Sequence, residues 1–516
     1  MEYHELIDER QDEIVEFLRE LIRIPSVLGD AKDGAPFGKA VAEVYDFMLG
    51  RARADGFDVF DADGWGGHVA WRADTESETP GAVNPTAAAP SGGNPVDGNA
   101  PDRIESGQSQ PAGISADADS PDALRTLGIP VHLDVVPVGD AWVHEPFGAD
   151  IADGRIYGRG TSDDKGATAA VYMAMKALRD SGFIPAKTIR LIIGLDEETG
   201  WTGMDNYLEA AGPPDFGFTP DGDFPVVNGE MGVLNFELAK KLEKTNDSGV
   251  SVRSIEGGNA PNMVPDRARA IITDDAGKGY DHIKEKLAAY RTETGYRLTG
   301  KGIGKSFEIV AYGTSAHGST PDKGLNAISI MMAFFGSLEL ANESIREFID
   351  FYNKRIGFDF HGAALGAGLE DAPSGKLILN IGQVQVDKDA AILTVNVRYP
   401  VTMTSDDFYD ALMPTVHQYD LGVVKGFDKA PIWFEPDDPF VVTLMDVYKE
   451  QTGDETAQPI VMGGATYARS IPRAVAYGPK FPDGPHVMHQ ADEYISISDL
   501  MQITHIYAEA IRRLTS

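Results

Sequence analysis

The residues with most chemistry to offer fall in a few short stretches rich in acids or imidazoles. His132-Leu133-Asp134 closes the apolar run Ile129 to Leu133. Side chains two apart in a strand share a face, so this ring and this carboxylate converge on one point. Alone, the pair reads first as a buried histidine satisfied by an acid; beside a bound metal, the same carboxylate fixes the ring. A second stretch, Gly158 to Gly166, carries Asp163 and Asp164 directly ahead of Lys165 and a helix. Acids there would also simply complement the helix dipole. The third, Asp196-Glu197-Glu198, follows the apolar run Ile189 to Leu195. Three adjacent carboxylates at the end of a buried strand repel one another, and packing gives no reason to gather them; a metal or a proton transfer does. The fourth is Thr219-Pro220-Asp221, and far downstream stand His486 and His489, the latter in His489-Gln490-Ala491-Asp492-Glu493.

Together His132, Asp163, Glu198, Asp221 and His489 offer two imidazoles and three carboxylates. The chain has no Cys, which excludes disulfides and thiolate sites and leaves only nitrogen and oxygen for any metal. Such a set suits two zinc ions bridged by a carboxylate, each keeping an open position; manganese or cobalt fits almost as well. Glu197, next to a ligand but itself spare, is then available as general base on metal-bound water. One look-alike drops out. Gly300 to Ser306 mimics a phosphate loop, but Thr299 stands where its first glycine belongs, and the strand-like Phe307 to Val310 follows where a helix is needed. It reads as a hairpin loop.

The elements that must position these groups follow from periodicity. Residues 5–24 show helical spacing ended by Pro25, and a second helix covers 38–54 before Gly56. The apolar runs 129–138 and 188–195 read as strands on either side of a helix over 165–180, which is a βαβ unit. Each acidic cluster then falls at the carboxyl end of a strand, where open α/β sheets collect ligands. Alternating strands and helices over 232–431 form a second pattern, and the helix 439–451 resumes the first. The expected organisation is an α/β domain in two segments, 1–231 and 432–516, interrupted by an α+β domain over 232–431. Residues 74–122 contain seven prolines, one Arg, no Lys and no aromatic residue, and read as a disordered insertion. With 45 Lys+Arg against 80 Asp+Glu, the net charge of −35 disfavours nucleic acid and anionic membranes as partners, and neither is expected. No signal-peptide pattern opens the chain and no apolar run reaches a membrane span of about 18–20 residues, so a cytoplasmic enzyme is expected.

Taken in order, the H-L-D, D-D-K-G, D-E-E-T-G, P-D and H-Q-A-D-E stretches resemble those of the co-catalytic zinc peptidases. That family includes carboxypeptidase G, succinyl-diaminopimelate desuccinylase and aminoacylases, and the resemblance is nearest to its PepV-type bacterial dipeptidases. It covers both ends of the chain and the inserted domain, leaving out mainly 74–122. It implies a catalytic domain with a mixed central sheet flanked by helices, and an inserted α+β lid. It further implies that Asp163, the acid two residues before Lys165, bridges two Zn2+. His132 and Asp221 would complete one shell, Glu198 and His489 the other. Asp134 would orient His132, and Glu197 would deprotonate the metal-bridging water and pass the proton to the leaving amine.

The inserted domain adds His317, in Ser315 to Pro321, whose family counterpart stabilises the oxyanion. Asn262 in N-A-P-N-M-V-P and Arg398 in N-V-R-Y-P match positions that grip the substrate, an Arg being shaped for a bidentate hold on a terminal carboxylate. Gly463 and Gly464 match a loop whose backbone approaches the peptide, with Ala465 in place of the family's third glycine. The implied activity is hydrolysis of short peptides, chiefly dipeptides, with N-acyl amino acid deacylation or carboxypeptidase action as the alternative. An enlarged lid supplies the histidine within one chain, so a monomer is expected.

Overall fold

The computed structural model describes residues 1–73, 125–243, 249–277 and 279–516, and the expected insertion at 74–122 lies outside them. The described chain forms two compact units. The first comprises Met1–Asp221, Ser470–Ala474 and Asp483–Ser516; the second comprises Gly222–Arg469 and Val475–Pro482.

The first unit is built on a mixed sheet. Five of its nine strands run in the order Asp58–Asp61, Gly67–Trp71, Thr188–Gly194, Thr126–His132, Phe216–Thr219. The first two pair antiparallel with their neighbours, and the last three are mutually parallel. The parallel strands are almost wholly buried, as their continuous apolar runs require. Register explains how distant stretches meet. His132 lies level with Gly194, and Leu127 with Phe216. Continued by the same offsets, Asp134 comes level with Asp196, and His132 with Asp221. The close approach of two of these strands depends on glycine, since a Cβ on Gly217 would lie 1.9 Å from the Gly128 carbonyl oxygen.

Helices cover this sheet. Lys165–Asp180 is buried along nearly its whole length, with alanines at 167, 169, 170, 174 and 177, and packs on the C-terminal helix Ile497–Leu514. The single helix expected over 5–24 is two, Tyr3–Glu9 and Gln11–Ile22, because Arg10 leaves helical geometry and pairs with Asp180 at 2.8 Å. Apolar spacing continues on both sides of that break, so periodicity alone does not reveal it.

The second unit contains an eight-stranded antiparallel sheet. Its order is Arg297–Ile303, Ser306–Tyr312, Arg267–Asp274, Val250–Gly257, Ile378–Val386, Ala390–Tyr399, Gly232–Lys241, Gly422–Lys429. The look-alike phosphate loop is the hairpin joining the first two, turning at Gly304 and Lys305. One continuous core under the sheet includes the helices Ala327–Gly336 and Glu343–Arg355. By compactness this unit also includes 432–469. There Ile432–Trp433 and Ile460–Met462 both pair with Val227–Glu230, a strand inside the expected segment 1–231. Among the described residues, no helix is long and apolar enough to cross a membrane.

The end of the C-terminal helix offers a test of stability. Burial pushes the Glu509 carboxyl up, but hydrogen bonds from Arg512, Tyr3 and Arg513 outweigh it and bring the group down to about 2 from 4.5. A carboxyl lowered in the folded state adds stability above its unfolded value, and that stability is lost as pH falls toward the folded value. Urea unfolding of Glu509→Gln should show about 1.5–3 kcal/mol less stability at pH 7 and a flatter decline between pH 4.5 and 2 than the unsubstituted chain.

Candidate metal and catalytic centre

The strand ends of the first unit deliver the acids and imidazoles to one place. His132, the last residue of its strand, is fully buried. Its Nδ1 lies 3.0 Å from the carbonyl oxygen of Asp134 and 3.5 Å from that residue's carboxylate. Its Nε2 lies 3.0 Å from Asp163 Oδ1 and 3.9 Å from Asp221 Oδ2. The other oxygen of Asp163, Oδ2, lies 3.0 Å from His489 Nε2, which is also 2.9 Å from Glu198 Oε1. One carboxylate thus spans two imidazoles supplied by opposite ends of the chain. Two triads have ligand atoms close enough to share an ion: His132, Glu197 and Asp221, and His132, Asp163 and Glu198.

A surrounding layer fixes these groups. The Asp134 carboxylate accepts the backbone N–H groups of Glu197 and Glu198, both at 3.2 Å, so it orders the three-acid turn as well as facing His132. Buried Asp196 accepts the Gly203 N–H, and Trp201 Nε1 donates to the Glu197 carbonyl at 2.9 Å. Asp164 accepts the His132 N–H at 3.2 Å. Lys165, wholly buried, donates to the carbonyls of Leu21 and Ile24. The turn that presents Asp163 is clamped by Glu493, which accepts from Gly160 N, Ser162 N and, at 2.6 Å, Arg159 Nη1. Arg159 and Glu493 carry no signal in local spacing, since they lie more than 300 residues apart. The only hint is that Glu493 shares the H-Q-A-D-E stretch with His489.

The electrostatics show an excess of negative charge. Burial raises Glu197 well above its ordinary value, and Asp221 adds to it. Burial likewise raises Asp164, and burial with the Asp163 charge raises Glu198. Asp163 is the exception: burial would raise it, but the hydrogen bonds of His132 and His489 outweigh that and hold it low. His489 is pushed up to about 10 by Asp163 and Glu198. Six carboxylates (Asp134, Asp163, Asp164, Glu197, Glu198, Asp221) and two imidazoles form this all-nitrogen-and-oxygen donor set, and the buried Asp164 Oδ1 has no hydrogen-bond partner. Divalent cations fit such a set.

Within the second unit, the other expected residues are also neighbours. The Gly318 N–H donates to the Asn262 carbonyl at 2.6 Å, and Met263 bridges His317. A Cβ on Gly463 would come within 3.2 Å of Ser319 Cβ and 3.5 Å of Ile378 Cδ1, and Ile378 is level with Arg398 in the sheet. Neither Gly463, Gly464 nor Ala465 adopts a left-handed φ, so alanine at 465 is accommodated without backbone strain.

The sequence pattern of Peptidase family M20/M25/M40 matches residues 128–513. This chain belongs to that family. It is 32% identical to a protein of Staphylococcus epidermidis named "Putative dipeptidase", over 99% of both chains. It is equally 32% identical to "Putative dipeptidase YtjP" of Bacillus subtilis, over 98% of both. Among solved structures, the M20 chain resembles a di-peptidase, Dug1p, from Saccharomyces cerevisiae, with a TM-score of 0.50 at 15% identity over 99% of this chain and 98% of that one. It resembles the M20 family metallo-carboxypeptidase Sso-CP2 of Sulfolobus solfataricus with the same score and identity, over 98% and 99%. At that identity the likeness establishes the fold.

If Asp163 is the shared group of this M20 centre, removing it should cost metal binding. Asp163→Ala, dialysed and measured by elemental analysis, should retain less than one zinc per chain. Asp8→Ala, whose carboxylate faces His505, should retain the same metal as the unsubstituted protein.

Proposed function

We propose that this M20 peptidase is a metal-dependent dipeptidase that hydrolyses short peptides with two Zn2+ per chain. The observation that carries the reading is the Asp163 carboxylate held between His132 and His489, with Glu197 within reach of His132 and Asp221 in the same cluster. His132, Asp163 and Asp221 would hold one ion, and Asp163, Glu198 and His489 the other. When bound, the ions supply Lewis acidity toward the attacking water and the peptide carbonyl.

The chain's own residues do the rest. Glu197 takes the proton from the attacking water and delivers it to the amine nitrogen as the peptide bond breaks. Its carboxylate reaches the same point as His132 and Asp221, where a proton-carrying group would have to stand. Asp134 keeps Glu197 in place through the backbone and turns the His132 ring. His317 Nδ1 accepts the Ser319 N–H at 3.2 Å, so a neutral ring carries its proton on Nε2 and offers it to the oxyanion. Asn262, Gly463 and Gly464 contact the peptide, and Arg398 receives its terminal carboxylate. The resemblance to family members whose enlarged lid supplies this histidine from the same chain leads us to propose a monomer.

The dipeptidase names of the relatives support the dipeptide reading over the N-acyl amino acid one. A screen of dipeptides, tripeptides and N-acetyl amino acids with zinc-loaded protein should show dipeptides cleaved fastest. Glu197→Gln should keep its zinc while hydrolysis falls by about 10²–10⁴-fold; undiminished turnover removes Glu197 from the chemistry. Light scattering should report one chain's mass, 55.6 kDa.

A further inference from the structure

The buried charges of the second unit are unevenly paired. Glu230, at the end of Val227–Glu230, has no solvent exposure. It accepts from Thr466 Oγ1 at 2.6 Å, from Thr466 N at 3.3 Å and from Arg469 Nε at 2.7 Å. Arg469, its side chain 5% exposed, turns its remaining donors to the carbonyls of Met231 at 2.5 Å, Ala430, and Lys429 and Gly464 at 3.5 Å each. One guanidinium therefore ties the end of a strand, the segment after Gly422–Lys429, and the Gly463-Gly464 loop.

Arg398 is the opposite case. It is 4% exposed, and among the described residues its side chain makes no hydrogen bond or ion pair; its Nε is buried without a partner. Burial and the neighbouring Arg469 charge bring it down to about 10, while Glu230 acts the other way. A buried guanidinium left unpaired is costly unless an anion comes to it. Glu230 is near enough to influence Arg398, but the three hydrogen bonds it accepts all come from Arg469 and Thr466.

We propose that Arg469 is a positioning residue: by occupying Glu230 it keeps Arg398 unpaired and open to the C-terminal carboxylate of the substrate. This rests on the dipeptidase reading above and deepens it. Neither Arg469 nor Glu230 touches the peptide. Without the Arg469 charge, Glu230 pairs with Arg398 and closes the anion site from within.

The test is steady-state kinetics on zinc-loaded protein with a dipeptide and its C-terminal amide. Arg469→Met should raise KM for the dipeptide by about 10- to 100-fold, the worth of a charge-assisted hydrogen bond, with kcat changed less than about threefold and KM for the amide unmoved. Glu230→Gln/Arg469→Met removes the competing carboxylate and should restore KM to within about fivefold. Arg469→Lys, which keeps a positive charge at Glu230, should do the same. A merely structural tie would be lost equally in all three variants and would weaken the amide as much as the acid; either result overturns the proposal. If Arg469→Met alone does not fold, the double and Lys variants decide, and a 10-fold higher KM in both contradicts it. Arg398→Met separates the two levels of the argument. If it leaves the dipeptide KM unchanged, or if the unsubstituted protein cleaves no dipeptide, the underlying reading fails and takes this proposal with it.

Discussion

The structure of the first unit depends on one interaction, the Asp163 carboxylate shared between two imidazoles. Asp163 Oδ1 faces His132 and Oδ2 faces His489, each at 3.0 Å. Its partners favour its ionised form strongly enough to overcome burial, whereas Asp164, Glu197 and Glu198 are all raised. Gathering like charges in a poorly hydrated space opposes folding. The surrounding architecture offsets that cost. Three parallel strands in fixed register bring their ends level, Asp134 ties down the 196–198 turn, and the Arg159–Glu493 pair clamps the turn that presents Asp163.

The second unit handles charge by a related logic with the sign reversed. There the isolated group is a guanidinium, Arg398, and the carboxylate that would neutralise it is committed elsewhere. Both units keep a charged group from being satisfied internally, the carboxylates against a cation and the guanidinium against an anion. A protein selected only for stability would pair these groups with one another or replace them with apolar residues. Their retention is what the physics of an active centre requires.

Much of this was legible in the sequence, because the signals were local. Apolar runs ending in acids located the sheet and its acid-bearing edge, and the helix over 165–180 matches Lys165–Asp180. The approximate strand at 188–195 is Thr188–Gly194, and the helix at 439–451 is Pro439–Thr452. What stayed hidden was long-range or sat at a break in geometry. Glu230 and Arg469 lie 239 residues apart, and each looks like an ordinary charged residue beside glycine or alanine. The helix break at Arg10 disturbs no apolar periodicity. Nor does helical periodicity reveal that Ile432–Trp433 and Ile460–Met462 both pair with the distant Val227–Glu230. Strand pairing between distant segments is decided by hydrogen-bond register, which a helix-period pattern does not encode.

The central claim is that the clustered carboxylates and imidazoles hold two ions that share Asp163. Anomalous diffraction at the zinc edge from crystals of the zinc-loaded protein tests it most directly. The account predicts two peaks per chain, one ringed by His132, Asp163 and Asp221 and the other by Asp163, Glu198 and His489. A single peak, or strong peaks away from Asp163, would contradict it.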